Sequence, residues 1–150
     1  MFARETIIAR GHKNITARHK TTFEFTKDCE ISKRADCIIA VGANKATAEL
    51  SDEFKTLARS NNAIITVDIF AGDTYERISG KGSEMLSFSH PRDVVGRRSG
   101  YSCGRTLLVH GDKAWADLNR KLVEKLKVGG EVIIKLLVEV KYMGLDQRRK

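Results

Sequence analysis

Apolar and polar residues alternate along much of this chain. Phe23 and Phe25 fall on the face opposite Glu24, and Ile65, Val67 and Ile69 on the face opposite Thr66 and Asp68. A period of two is the signature of a strand with one buried face. Val132, Ile134, Leu136, Val138 and Val140 form a longer series of the same kind, in which Ile133 and Leu137 make the second face partly apolar as well. Ala71-Gly72-Asp73-Thr74 reads as a hairpin turn leading into Tyr75–Ile78. In two places the period lengthens. Ala46, Leu50, Phe54, Leu57 and Ala58 share a helical stripe, as do Ala114, Leu118, Leu122 and Leu126. Asn44 and Asp112 stand as N-caps for these helices, and Asn61-Asn62 and Gly129-Gly130 end them with residues that tolerate left-handed dihedrals. About ten short strands and two helices predict a mainly β, α+β chain, an antiparallel sandwich or barrel with the helices on its ends or flank.

The pattern also repeats. The stretch Val41-Gly42-Ala43-Asn44-Lys45-Ala46-Thr47-Ala48-Glu49-Leu50 returns as Val109-His110-Gly111-Asp112-Lys113-Ala114-Trp115-Ala116-Asp117-Leu118, with five of ten positions identical. Asn44 with Asp112, and Glu49 with Asp117, exchange like for like. An apolar strand precedes each copy, Cys37–Ala40 in one and Thr106–Leu108 in the other. Upstream, Gly11, Ile15 and His19 line up with Gly82, Leu86 and His90. Two pseudo-two-fold halves follow, residues 3–71 and 73–141, each running four strands, a helix and a strand. They lie within a single β-rich domain of residues 1–145, followed by a basic tail at 146–150.

Size and composition narrow the class. A chain of 150 residues with 41% hydrophobic and 31% charged residues is long enough to bury roughly two-thirds of its extended surface. Its longest apolar run, Cys37–Ala43, has the length of a strand and not of a membrane span. Met1–Glu5 lacks the apolar core of a secretory signal, and three cysteines are an odd number. A cytoplasmic protein without a disulfide framework is therefore expected. The net charge of +8 suits a polyanionic partner, although Arg148-Arg149-Lys150 supply three of those charges and leave a surplus of five for the rest.

The segments Gly11-His12-Lys13-Asn14-Ile15, His19-Lys20-Thr21-Thr22, Asp36-Cys37-Ile38-Ile39 and Cys103-Gly104-Arg105-Thr106, followed by the Asp112-Lys113-Ala114 turn, resemble an archaeal family known as Domain of Unknown Function 371. The resemblance spans nearly the whole chain, with the tail after Tyr142 outside the shared pattern. It implies an archaeal, cytoplasmic protein with a mainly β, jelly-roll-like sandwich. It brings with it no established activity, cofactor or catalytic residue.

The residues themselves offer three kinds of chemistry. Lys45 and Lys113 stand at the first turns of the two predicted helices, where free amides and the helix dipole favour an anion. Lys20, Arg105 and the Arg97-Arg98 pair add positive field, so a binding protein for a phosphorylated or otherwise anionic small molecule, or RNA, is the leading reading. Neither a Walker loop nor a dinucleotide fingerprint is present, since Met85 stands where the third glycine after Gly80-Lys81-Gly82 belongs. The alternative is a hydrolase or transferase. Cys103 would be its nucleophile, with Arg105 favouring the thiolate and His19 or His90 as base, or His12, His19 and His90 would hold a metal. Against a metal, no Cys-x-x-Cys or His-x-x-x-His spacing occurs. A structural subunit of an assembly is the third reading.

Overall fold

The computed structural model describes residues 1–141, so the basic tail predicted at 146–150 lies outside the described residues. The first half of the chain forms β1 (Phe2–Arg10), β2 (Thr22–Thr26), β3 (Ile38–Ala40), a 3₁₀ turn at Thr47–Glu49, α1 (Asp52–Ala58) and β4 (Ala63–Ala71). The same succession then recurs as β5 (Thr74–Lys81), β6 (Asp93–Arg97), β7 (Thr106–Leu108), a 3₁₀ turn at Trp115–Asp117, α2 (Arg120–Val128) and β8 (Glu131–Val140). One sheet is antiparallel with order β1-β8-β4-β5, and the other has order β3-β2-β6-β7. Exchanging the two halves reverses each order and leaves it otherwise unchanged.

The sheets form a sandwich, and among the described residues no barrel closes. The second sheet is also mixed, not wholly antiparallel: β2 and β6 run antiparallel at its centre, while β3 and β7 lie parallel to them on the outside. Alternation places the inner faces as the sequence predicts. Ile65, Val67, Ile69, Val132, Ile134, Leu136 and Val138 are buried on the first sheet, and Phe23 and Phe25 on the second. Trp115 fills the space above the two phenylalanines, its ring centroid 4.8 Å from that of Phe23 and 6.1 Å from that of Phe25.

Among the described residues eight strands form, not about ten, because the segment after each leading strand turns instead of extending. Gly11 and Gly82 are the cause. The Gly11 amide donates to the Gly130 carbonyl and the next amide, of His12, to the Leu126 carbonyl; the Gly82 and Ser83 amides donate to the carbonyls of Ala63 and Ala58 in the same way. The backbone passes so close to the helix end that a Cβ at either glycine would overlap a carbonyl oxygen.

The helices also begin later than their stripes suggest. Ala46–Leu50 and Ala114–Leu118 make only a 3₁₀ turn, after which Leu50 and Leu118 are extended (ψ 152° and 151°). Ser51 and Asn119 are the N-caps, accepting from the amides of Phe54 and Lys121. Asn44 and Asp112 do something else. Each carboxamide or carboxylate oxygen accepts from an edge strand, from the Ile8 amide at 2.9 Å and from the Ser79 amide at 2.9 Å. At the far ends Gly129 is left-handed (φ +94°) as expected, whereas α1 stops at Arg59, before the two asparagines.

Candidate functional site

Because one backbone plan is used twice, features shared by both copies separate from features present in one. Glu5, on the inner face of β1, accepts from Lys45 Nζ at 2.7 Å and from the Ser51 amide. Glu76 on β5 accepts from Lys113 Nζ at 2.7 Å and from the Asn119 amide at 3.2 Å. Burial pushes both carboxyls up, but the lysines and amides outweigh it and hold them below the ordinary range. Lys45 and Lys113 are thus neutralised links between edge strand, 3₁₀ turn and helix cap. They do not stand at an α-helix N-terminus.

His19 and His90 are paired in the same sense. Nδ1 of His19 accepts from the amides of Thr21 (3.2 Å) and Thr22 (3.1 Å), and Nδ1 of His90 from those of Arg92 (3.2 Å) and Asp93 (2.9 Å). Their carbonyls cross between the halves: Ala48 donates to His90 and Ala116 to His19. His12 differs only in place, with Nδ1 accepting from the Asn14 amide and Nε2 lying 3.0 Å from Glu30. Each of these three histidines is engaged in holding a turn. Among the described residues no three of His, Cys, Asp and Glu gather as metal ligands do.

One region breaks the likeness. On the second sheet, Thr22, Glu24 and Thr26 point away from the phenylalanines, beside Arg97, Val95 and Asp93 of β6. The turns leading into β3 and β7 have the same backbone bonds: the Ile38 amide donates to Ala35 and the Thr106 amide to Cys103, while the Glu24 amide donates to Cys37 and the Val95 amide to Arg105. The side chains on this common frame differ completely. Where the first half has Thr26, Ala35, Cys37 and Ile38, the second has Arg97, Cys103, Arg105 and Thr106.

Those four residues interlock. Arg97 Nε donates to Thr106 Oγ1 at 2.9 Å, its Nη2 lies 3.4 Å from Cys103 Sγ, and its guanidinium carbon sits 4.8 Å from the centre of the Tyr101 ring. The thiol is only partly covered. Burial raises its pKa, yet the Arg105 amide, Thr106 and the Arg97 guanidinium bring it below the ordinary value. Arg105 extends the group inward, with Nη1 3.3 Å from Asp93 Oδ2 and 4.0 Å from Glu24 Oε2. Asp93 also accepts from Thr26 Oγ1 at 2.8 Å, and Cys37 Sγ donates to Glu24 Oε1 at 3.5 Å. Burial and the neighbouring Asp93 charge, partly offset by Arg105, push Glu24 up to about 7. Burial, with Glu24 beside it, pushes the Cys37 thiol up to about 12.

Of the residues nominated from sequence, Arg97, Arg105 and Cys103 therefore come together. Lys20 and Arg98 lie at the same end of the sheet, where the Arg98 amide donates to the Thr21 carbonyl; both side chains are exposed, and Arg98 reaches Asp117 at 3.3 Å. Neither His19 nor His90 bonds to Cys103. Glu24, Thr26 and Asp93 join the group only because β2 pairs with β6 across some 70 residues of sequence, whereas Tyr101 joins it locally, four residues after Arg97. A surface groove of about 470 Å³ lies elsewhere, lined by Met1, Phe2, Asp52, Glu53, Thr56 and Leu57. No helix among the described residues is long and apolar enough to cross a membrane.

The curated protein MJ0206 of the archaeon Methanocaldococcus jannaschii, itself uncharacterized, is 42% identical over 132 residues, which cover 88% of this chain and 97% of that protein. The model of a domain of unknown function matches residues 7–139, with nearly all of the two copies inside it. The chain belongs to that family, Domain of unknown function (DUF371).

Proposed function

We propose that this protein binds a small anionic ligand, bearing a phosphate or carboxylate, against Arg97 on the outer face of the mixed sheet. A single observation supports the reading. Arg97 is half-buried and clamped by Thr106 and Tyr101, yet among the described residues no carboxylate pairs with it. A half-buried guanidinium held in place with no carboxylate beside it is suited to an external one, and its charge and donors favour phosphate or carboxylate. The equivalent frame in the first half folds with Thr26 in that place, so the fold does not call for the arginine. Lys45 and Lys113 are neutralised by Glu5 and Glu76, which argues for a local site over an extended track for RNA. The three free cysteines suit the cytoplasm as its place of action.

Calorimetric titration with inorganic phosphate, a nucleoside monophosphate and a short RNA, at low and high salt, tests this. Binding of the small anions is expected to weaken with salt, and Arg97→Ala to reduce it about tenfold or more, the equivalent of one charge-assisted bond. Equal affinity in wild type and variant sinks the proposal, and tight binding of RNA alone replaces it.

A further inference from the structure

We infer that the Phe2–Thr6 edge of β1 takes up an extended, apolar and basic segment of a partner protein, which adds a strand to the antiparallel sheet. β1 is an outer strand of that sheet, and the amides of Ile8 and Arg10 point away from β8, to Asn44 Oδ1 at 2.9 Å and to the Val41 carbonyl at 2.8 Å. Along a strand that orientation recurs at every second residue, so Thr6, Arg4 and Phe2 turn their amides and carbonyls the same way. Among the described residues those groups have no partner. β5, the outer strand on the other side, is treated differently. Asp112 and Val109 engage Ser79 and Lys81 as Asn44 and Val41 engage Ile8 and Arg10, but Lys113 Nζ also donates to the Arg77 carbonyl at 3.0 Å. Lys45, its counterpart, donates to Glu5 alone. An edge left open over three alternating residues is a template for another chain.

The groove between Met1–Phe2 and α1 adjoins the start of this edge and fixes the chemistry of the occupant. Its apolar lining comes from Met1, Phe2 and Leu57, the first two largely exposed. Its charged lining is entirely acidic, Asp52 and Glu53, and among the described residues neither has an ion-pair partner. In a chain of net charge +8, two unpaired carboxylates beside an open edge select a basic partner. They do not favour a second copy. Two chains of that charge repel one another, and a two-fold pairing of the Phe2–Thr6 edges sets Arg4 opposite its own counterpart. In the incoming strand, apolar side chains at alternate positions lie over Met1, Phe2 and Leu57, and a Lys or Arg beyond them meets Asp52 and Glu53. This surface belongs to the sheet that does not carry Arg97, and it stands without the anion site.

The probes are two short peptides in which valine and threonine alternate, one flanked at both ends by lysine pairs and the other by glutamate pairs. Amide exchange of the isotopically labelled full chain is followed by NMR with and without each. The lysine peptide is expected to slow exchange at Arg4 and Thr6 about tenfold at saturation, the glutamate peptide to do so only weakly, and salt to narrow the difference. Neutralising the rim with Asp52→Asn and Glu53→Gln is expected to weaken the lysine peptide about fivefold. Arg4→Pro removes an outward donor where an edge strand accepts proline, and is expected to abolish the protection at Thr6. If Arg4→Pro fails to fold, the exchange pattern of the wild type decides alone. Equal binding of the two peptides, or binding that leaves Arg4 and Thr6 unprotected, overturns the inference. So does slow exchange at both amides without peptide: with a dimer in sedimentation it gives the edge to a second copy, and with a monomer to the chain itself.

Discussion

Glu24 stands between two phenylalanines in the sequence and between a guanidinium and a thiol in space. The residue is 8% exposed, with Arg105 on one side of its carboxyl and Cys37 on the other. The unfolded chain releases this proton near the ordinary 4.5, the folded one near 7. Between those values the native state binds the extra proton, so this residue's contribution to stability declines as pH rises through the window. Glu24→Gln is therefore expected to flatten the fall in urea midpoint between pH 5 and pH 8, and to be the more stable form at the upper end. Parallel midpoints for the two proteins across that range contradict the assignment. The strand pattern showed which face Glu24 occupies. Asp93 lies 69 residues away in the sequence and Arg105 further still, and only pairing of β2 with β6 and of β6 with β7 brings them to it.

At the scale of elements, the shared carboxylates Glu5 and Glu76 account for the late start of both helices. Each draws in the amide of the N-cap residue, Ser51 or Asn119, so the chain leaves its 3₁₀ turn extended and begins the α-helix afresh. A stripe of apolar residues cannot reveal that break, because Ala46, Leu50 and Phe54 remain buried on either side of it. Both carboxyls titrate below their ordinary value of 4.5 in the folded state. Their contribution is present above that value and is lost as pH falls through the depressed one. Glu5→Gln and Glu76→Gln are each expected to lower stability at neutral pH by about 1–3 kcal/mol, as for a broken charge-assisted bond. The deficit shrinks in acid, and urea denaturation at pH 7 and pH 3 measures it. A neutral effect of both substitutions would falsify the structural role given to Lys45 and Lys113.

Across the whole molecule the halves are interwoven. Each half's 3₁₀ turn donates to a histidine carbonyl of the other, α2 ends against Gly11–His12, α1 ends against Gly82–Ser83, and both sheets have a strand pair from different halves at their centre. Neither half covers its own apolar faces. Residues 1–72 expressed alone are accordingly expected to give no folded monomer, whereas the full chain unfolds in one transition followed by its single tryptophan, Trp115, fully buried beside Phe23. A monomeric fragment with native-like dichroism and a cooperative melt contradicts the interweaving. By itself the sequence determined the alternation in β2, β4 and β8, the turn at Gly72 and the mainly β class, because these depend on neighbours within a few residues. Tertiary structure alone decided that the twice-used lysines are neutralised by Glu5 and Glu76 and that Glu24 meets Arg105, because electrostatic partners are chosen by distance in space, and strand pairing sets those distances across stretches of chain that carry no mark of each other.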